Sequence, residues 1–157
     1  MRSGTENVAS IVGFGKACEI AKERLAENSS HFKKLHSLML EKITKEISHV
    51  KLNGHPEERI FNNLHLTFVG VNGEDLIIKL DEYGIAASTG SACSVHTQKA
   101  SHVLKAMGFN HEQITGSLRI SFGYMNTLDE VEQTVEVLKI VIPELRSVSP
   151  YKTIYKF

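Results

Sequence analysis

Residues 64–69 read Leu-His-Leu-Thr-Phe-Val, a stretch in which apolar and polar side chains alternate. Successive side chains of a β-strand point to opposite faces, and β-branched and aromatic residues favour that conformation. The stretch therefore predicts a sheet strand with one buried face, and the rest of the fold is read outward from it.

Three further segments predict strands. Residues 48–59 alternate briefly and then turn at an Asn-Gly pair and a proline, which indicates a short strand followed by a loop. Residues 85–88 read Ile-Ala-Ala-Ser and are expected to form another short strand. Residues 117–122 read Ser-Leu-Arg-Ile-Ser-Phe, which predicts a strand with Arg119 on the same face as its two serines.

Apolar residues at helical spacing predict two long helices before the strands. The first runs from Ser3, where Ser-Gly-Thr-Glu has the form of a capping box, to about Asn28. Asn-Ser-Ser at residues 28–30 is expected to break it, and a second helix follows from Phe32 to Ile47. We expect the two to pack as a hairpin. If a domain that covers them is absent, as a family resemblance described below implies, their apolar faces are expected to be left partly uncovered, which would favour self-association.

Capping signals delimit three shorter helices. The first lies between Asn72, a good N-cap, and Gly84, a good helix stop. Another spans Ser101 to Met107, and the last opens with a capping box at residues 127–130 and is expected to end at Pro143.

The order of elements predicts an α+β fold with a small sheet of three to four strands covered by helices. With 157 residues and 17.5 kDa, 41% of them hydrophobic and 23% charged, the chain suits a single globular domain, residues 1–157. Residues 1–47 form its helical lead-in and residues 144–157 a tail.

Charge and cysteine content exclude several classes of function. Eighteen basic residues cancel eighteen acidic ones, so no field attracts nucleic acid or an anionic membrane. Residues 1–10 lack the apolar centre of a signal peptide, and we expect a cytoplasmic protein with no membrane partner. Cys18 and Cys93 should therefore be reduced thiols, and the eight histidines do not have the spacing of metal ligands.

Cys93 is the strongest candidate for chemistry, because it lies among Gly, Ser and Ala where an electrophile can reach a thiolate. It could equally be an incidental loop residue on these grounds alone. His96, Lys99 and His102 could stabilise the thiolate or be solvated surface groups. Cys18, on the apolar stripe of the first helix, is expected to be a structural residue.

Two further residues have both a functional and a structural interpretation. Arg119, unusual in mid-strand, could bind a carboxylate in its bidentate fork or lie on an exposed strand face. Thr5 could belong to an anion site at a helix N-terminus, although capping alone explains it better.

At these same residues the sequence resembles the pyridoxal-phosphate-dependent cysteine desulfurases of the NifS/IscS type, which are class V aminotransferase-like enzymes. Residues 84–94 with 101–108 resemble the family's active-site cysteine loop and the helix after it. Residues 117–123 resemble the strand of its substrate-binding arginine, and residues 1–8 the start of its C-terminal region. The implied fold is that of the C-terminal small domain of fold-type I pyridoxal phosphate enzymes.

The resemblance implies a role for each matching residue. Cys93 would be the nucleophile that takes sulfur from L-cysteine as a persulfide while alanine leaves, and Arg119 would bind the substrate carboxylate. Thr5 would reach the cofactor phosphate of the other subunit of a homodimer. The sulfur would pass to an acceptor such as an iron–sulfur scaffold protein or a thio-cofactor pathway.

The sequence also departs from the family. Tyr124 replaces a frequent basic residue, and residues 95–100 replace a Ser/Gly/Pro/Glu-rich stretch. The match covers only the last two fifths of the family's length, and no His-Lys pair, the family's cofactor lysine motif, is present. We therefore expect the chain not to bind pyridoxal phosphate productively without a domain or subunit that carries this lysine.

Three interpretations remain open from the sequence. The chain is the C-terminal part of a cysteine desulfurase, as a fragment or as half of a split enzyme, and a start at Met1 inside a family motif favours this. Alternatively, it is a stand-alone persulfide carrier or interaction module, or an inactive remnant. Cysteine and selenocysteine are not distinguished as substrates.

Overall fold

A three-stranded antiparallel sheet forms the centre of the protein, in a computed structural model that describes residues 3–90 and 101–152. The strands are β1 (Val50–Leu52), β2 (Asn63–Phe68) and β3 (Ser117–Ser121), with β2 in the middle. Leu66 of β2 lies opposite Leu52 on one side and Leu118 on the other. The predicted α+β class and the central strand are confirmed.

In the described part of the chain, five helices accompany the sheet: α1 (Val8–Glu46), α2 (Gly73–Glu82), α3 (His102–Ala106), α4 (His111–Thr115) and α5 (Leu128–Ser147). The apolar face of the sheet packs against α2, α5 and the second half of α1. The core is built from apolar side chains of the sheet, α1, α2 and α5 and includes Leu35, Met39, Leu64, Leu66, Phe68, Leu76, Leu118, Val135 and Leu138. The opposite face of the sheet is polar.

The first 46 residues form one long helix, and the predicted hairpin is wrong. Residues 28–30 continue α1 without a break, because Asn and Ser lower helix propensity by only a fraction of a kcal/mol, roughly 0.5, whereas Gly and Pro cost more. The helix also begins later than expected. Its N-cap is Asn7, whose side chain accepts a hydrogen bond from the Ser10 amide at 3.2 Å, and the capping box predicted at Ser3 is not formed.

The first half of α1 is not covered by the rest of the described chain. Val8, Val12, Phe14 and Leu25 are each more than half exposed. Cys18 is exposed too, so the described chain does not bury it as expected for a structural residue on the apolar stripe. The uncovered apolar face expected for both predicted helices is thus found only in the first half, since Leu35, Met39 and Ile43 of the second half are buried.

The short helices have the predicted caps. The Asn72 side chain accepts from the Glu74 amide at 2.9 Å, and Gly84 ends the segment with a positive φ of 74°. Ser101 caps α3. Helix α4 was not predicted, although Asn110 and Gln113 form a reciprocal capping box.

Helix α5 begins at the predicted capping box of Thr127 and Glu130 but does not end at Pro143. Proline removes one backbone donor, and Pro143 lies on the exposed side. The last turn is held by Arg146, which donates to the carbonyls of Val69 and Ser48 at 3.0 and 2.9 Å. The helix therefore continues to Ser147, so residues 144–147 do not belong to a tail.

Residues 85–88 do not form the predicted strand. The Ile85 amide donates to Leu80 at the end of α2, so the chain is still tied to that helix. Only Ser88 reaches the sheet, as an isolated bridge to Arg119. Within the described ranges, every helix is too short or too polar to cross a membrane.

Candidate functional site

The polar face of the sheet carries Arg119. This residue occupies the middle of β3 and is half-buried, and its partner across the strand pair is His65 of β2. Side chains paired in this way lie on the same face, with Cβ atoms about 5 Å apart. The alternation that buries Leu118 and Ile120 on the core side therefore turns Arg119 to the polar side.

The far end of this polar face is closed by α4 and the loop before it. Thr67 donates to the carbonyl of Gln113 at 3.1 Å, and the Asn53 amide donates to Thr67 at 3.0 Å. The Lys51 ammonium lies 4.5 Å from the centre of the Phe109 ring, a cation–π contact. These contacts fix the end of the sheet remote from Arg119.

Ser88 links Arg119 to the segment that leads to Cys93. The Arg119 amide donates to the Ser88 carbonyl, the Ser88 amide donates back at 3.1 Å, and the guanidinium Nη2 donates to Ser88 Oγ at 3.3 Å. Ser88 Oγ in turn donates to the carbonyl of Gly90 at 3.0 Å. The start of the predicted cysteine loop is thus hydrogen-bonded to the side chain of Arg119, the residue predicted to bind the substrate carboxylate.

The remaining loop residues fall outside the described part of the chain. Cys93, His96 and Lys99 lie in residues 91–100, so their predicted roles stay predictions. His102 is described: it is exposed at the start of α3.

Sequence reasoning missed His65, the strand partner of Arg119, and Arg59, whose charge acts on His65. His65 Nε2 is shielded from solvent and has no hydrogen-bond partner among the described residues. Burial, and then the positive charges of Arg119 and Arg59, lower the pKa of His65. Arg59 donates to the carbonyls of Asn53, His55 and Asn63 in the turn before β2. The sequence signal for His65 was that it is one of the polar residues in the alternating strand at residues 64–69.

Thr5 is exposed and lies two residues before the Asn7 cap of α1. Within residues 3–90 and 101–152 it makes no hydrogen bond. Its role toward a cofactor phosphate of another subunit stays a prediction.

The described residues do not fit a pyridoxal phosphate site of their own. A Schiff-base lysine needs a desolvated or otherwise neutralised amine. Each described lysine is either exposed or paired with a glutamate, as Lys42, Lys79 and Lys139 are. Pairing with carboxylates has the opposite effect, and it raises the pKa values of Lys79 and Lys139.

Comparison with known proteins gives one consistent result. The model of the family "Aminotransferase class-V" matches residues 1–134. The chain is 45% identical over 150 residues to cysteine desulfurase IscS 1 of Archaeoglobus fulgidus, covering 96% of this chain and 39% of that protein. For cysteine desulfurase IscS of Methanosarcina thermophila the identity is 46% over 149 residues, with 95% and 37% covered.

Solved structures agree with these matches. A NifS-like protein from Rickettsia africae superposes with a TM-score of 0.78 at 31% identity, over 91% of this chain and 36% of that one. A second NifS-like protein gives a TM-score of 0.79 at 32% identity, over 92% and 36%. The chain spans about two fifths of the length of the curated relatives that it matches.

Proposed function

The chain belongs to the class V aminotransferase family, which uses pyridoxal phosphate, and from this premise we propose that it is the C-terminal part of a cysteine desulfurase. In this role it takes sulfur from L-cysteine as a persulfide on Cys93. The observation that carries the proposal is the attachment of Ser88, at the start of the cysteine loop, to Arg119. This contact joins Arg119, the residue proposed to bind the substrate carboxylate, to the loop that carries the nucleophile Cys93.

Arg119 binds the α-carboxylate of the substrate. A guanidinium presents parallel donors that match the two oxygens of a carboxylate, and such charge-assisted bonds are stronger than neutral ones. The ion pairs found among the described residues all involve lysine, so none of them engages Arg119. The guanidinium is consequently available for a substrate anion.

Cys93 accepts the sulfur. Its thiolate attacks the sulfur atom of the substrate cysteine, forming the S–S bond while the substrate C–S bond breaks. The electron pair of the broken bond stays on the carbon, which takes up a proton, and alanine leaves. The net change is cysteine plus thiol to alanine plus persulfide, and no external oxidant or reductant is required.

The part that holds pyridoxal phosphate lies outside these 157 residues, as a preceding domain or as a partner subunit. The exposed apolar half of α1 supports this, because Val12, Phe14 and Leu25 present a surface that a covering domain would bury. In the complete enzyme, a homodimer, Thr5 contacts the cofactor phosphate of the other subunit. The persulfide then passes to an acceptor such as an iron–sulfur scaffold protein, or toward thio-cofactor assembly, in the cytoplasm.

The test uses the enzyme assembled from this chain and its cofactor-binding part. Cys18 is exposed, so it is first replaced, as Cys18→Ser, to leave Cys93 as the chain's single thiol. With L-cysteine, we expect alanine and one added sulfur on this chain by intact mass. Adding Cys93→Ser should abolish both. Unchanged sulfide release from the double variant would contradict the proposal.

A second candidate, a stand-alone persulfide carrier, is favoured by the lack of a suitable lysine among the described residues. It requires no pyridoxal phosphate. The Cys18→Ser chain alone, mixed with a low-molecular-weight persulfide, would then gain one sulfur on Cys93 and pass it to a second thiol. A stand-alone carrier shows this transfer in the absence of any cofactor-binding domain. The C-terminal part of a desulfurase needs the cofactor-binding domain to obtain sulfur from cysteine.

A further inference from the structure

His65 lies on the polar face beside Arg119, and part of its hydrogen-bonding capacity is unused within the described chain. Its Nε2 is inaccessible to water and has no partner there. A buried polar atom without a hydrogen-bond partner destabilises the folded state. When such an atom lies next to a candidate binding residue, a ligand that supplies the missing hydrogen-bond partner removes this cost.

The charges around His65 determine which ligand fits. Arg119 faces the imidazole from β3, and Arg59 acts on it from the turn before β2. Both are cations, and both lower the pKa of His65 in addition to its burial, so the ring is neutral at pH 7. None of the ion pairs in the described ranges supplies a carboxylate to these three residues. An anion is the ligand that this combination favours.

Hydrogen bonds that Arg59 and Arg119 already make limit how an anion can bind beside His65. Arg59 directs its Nη1 and Nη2 atoms at backbone carbonyls, so these two nitrogens contribute charge rather than bonds to a ligand, while its Nε has no partner among the described residues. Arg119 uses one Nη2 bond to hold Ser88 Oγ, which orients its fork. A carboxylate in that fork has spare lone pairs that a neighbouring donor can occupy.

We propose that His65 is a second carboxylate-recognition residue, which donates a hydrogen bond from Nε2 to an oxygen of the substrate carboxylate held by Arg119. This deepens the proposed function, because it adds a specificity determinant to the same site. His65 is a positioning and recognition residue and transfers no proton in the reaction. The neutral ring donates in the tautomer that carries its proton on Nε2.

The test is a titration of the ¹⁵N-histidine-labelled chain with L-alanine, which has the substrate's α-carboxylate but no sulfur. We expect the His65 ring resonances to shift and saturate, and the pKa of His65 to rise as the bound negative charge offsets Arg119. Ethylamine, which lacks the carboxylate, should leave them unchanged. Arg119→Gln should abolish the shift. Exposed His111, followed in the same spectra, is the internal control.

Variants separate recognition from packing. His65→Leu should weaken L-alanine binding about tenfold, the usual effect of losing a charge-assisted hydrogen bond, and His65→Gln should restore most of it. In the assembled enzyme the same loss should appear in KM for L-cysteine and not in kcat. A packing role would instead give equal effects for both substitutions.

A His65 resonance that does not respond to L-alanine overturns this inference, whether or not Arg119 binds. The outcome is independent of the proposed function. Carboxylate binding without any persulfide on Cys93 would remove the desulfurase assignment and leave the His65 site, whereas persulfide formation with a silent His65 would do the reverse.

Discussion

Arg119 and Ser88 hold each other through both backbone and side chain. Their amides and carbonyls pair reciprocally, and the guanidinium Nη2 donates to Ser88 Oγ at 3.3 Å. The same Oγ donates to the Gly90 carbonyl. One serine hydroxyl therefore contacts both the arginine side chain and the backbone at Gly90.

Replacing that hydroxyl tests the coupling. Ser88→Ala removes the side-chain bonds and keeps the backbone bridge, so the fold should persist with a loss of about 1 kcal/mol. In the assembled enzyme, KM for L-cysteine should rise about fivefold, because a free guanidinium must be ordered on binding. Steady-state kinetics and urea unfolding measure the two effects.

Ser121→Ala is the matched control, since Ser121 is an exposed serine on the same strand. It should change neither KM nor the free energy of unfolding noticeably. Equal kinetic effects of the two alanine substitutions would show that Ser88 does not orient Arg119.

Arg146 provides a stability prediction. Its buried guanidinium bonds to the carbonyls of Val69, Ser48 and His49, tying the last turn of α5 to two segments near the sheet. Arg146→Met removes these charge-assisted hydrogen bonds to the carbonyls and should cost about 3 kcal/mol of unfolding free energy in urea. Arg24→Met on the exposed part of α1 should cost less than about 0.5 kcal/mol. Similar midpoints for both variants would refute the structural role of Arg146.

The same residue shows where sequence patterns were sufficient and where they were not. The central strand and the caps at Asn72 and Thr127 follow from local chemistry, so they could be predicted. The continuation of α5 past Pro143 depends on Arg146 reaching carbonyls about 77 and 98 residues away in sequence, which no local signal records. Local rules therefore located the elements better than their ends.

In the candidate site, too, some residues could be predicted from the sequence and others could not. Arg119 was found because a guanidinium in mid-strand is unusual on its own. His65 was read only as a polar position, because its importance comes from the register that pairs it with Arg119. The continuity of α1 was also missed, since the break predicted at residues 28–30 weighed helix propensity without the tertiary contacts of the second half.

Gly73 marks a close approach of two backbone segments. A Cβ atom placed there would lie 2.7 Å from the Ser117 carbonyl oxygen and 2.9 Å from that of Thr115. Gly73→Ala should therefore force α2 away from β3 and cost about 2 kcal/mol, the usual range for overpacking. Gly13→Ala, where the Cβ meets nothing within 4 Å on α1, should be neutral or stabilising by up to about 1 kcal/mol. Urea unfolding of both variants decides, and equal midpoints would contradict the predicted clash.

His36 makes the stability of the fold dependent on pH. It is 2% exposed, its ring meets Phe61 edge-on at 5.3 Å between centroids, and its Nε2 has no partner within the described chain. Burial, followed by the positive charge of Arg59, lowers the pKa of His36 from 6.5 to about 4. The unfolded chain therefore binds a proton at this residue at a higher pH than the folded chain does.

The direction of the effect follows from that difference. Above pH 6.5 both states are neutral at His36, so the full stability is present. As the pH falls from 6.5 toward 4, the unfolded state takes up the proton first, and the free energy of unfolding decreases by up to about 3 kcal/mol. His65, whose pKa is also lowered, acts in the same direction, and the lowered pKa values of Glu46 and Glu130 add a further loss only as the pH falls below about 4.5.

His36→Leu isolates this contribution, because the other groups are the same in both proteins. Urea unfolding at pH 7, 6, 5 and 4 should show the wild-type protein losing up to about 3 kcal/mol relative to the variant across this range. His111→Gln, at an exposed histidine, should follow the wild-type curve. Parallel curves for the wild type and His36→Leu would mean that His36 titrates alike in both states. That result would show that the burial of neutral His36 is not the cause of the loss of stability in acid.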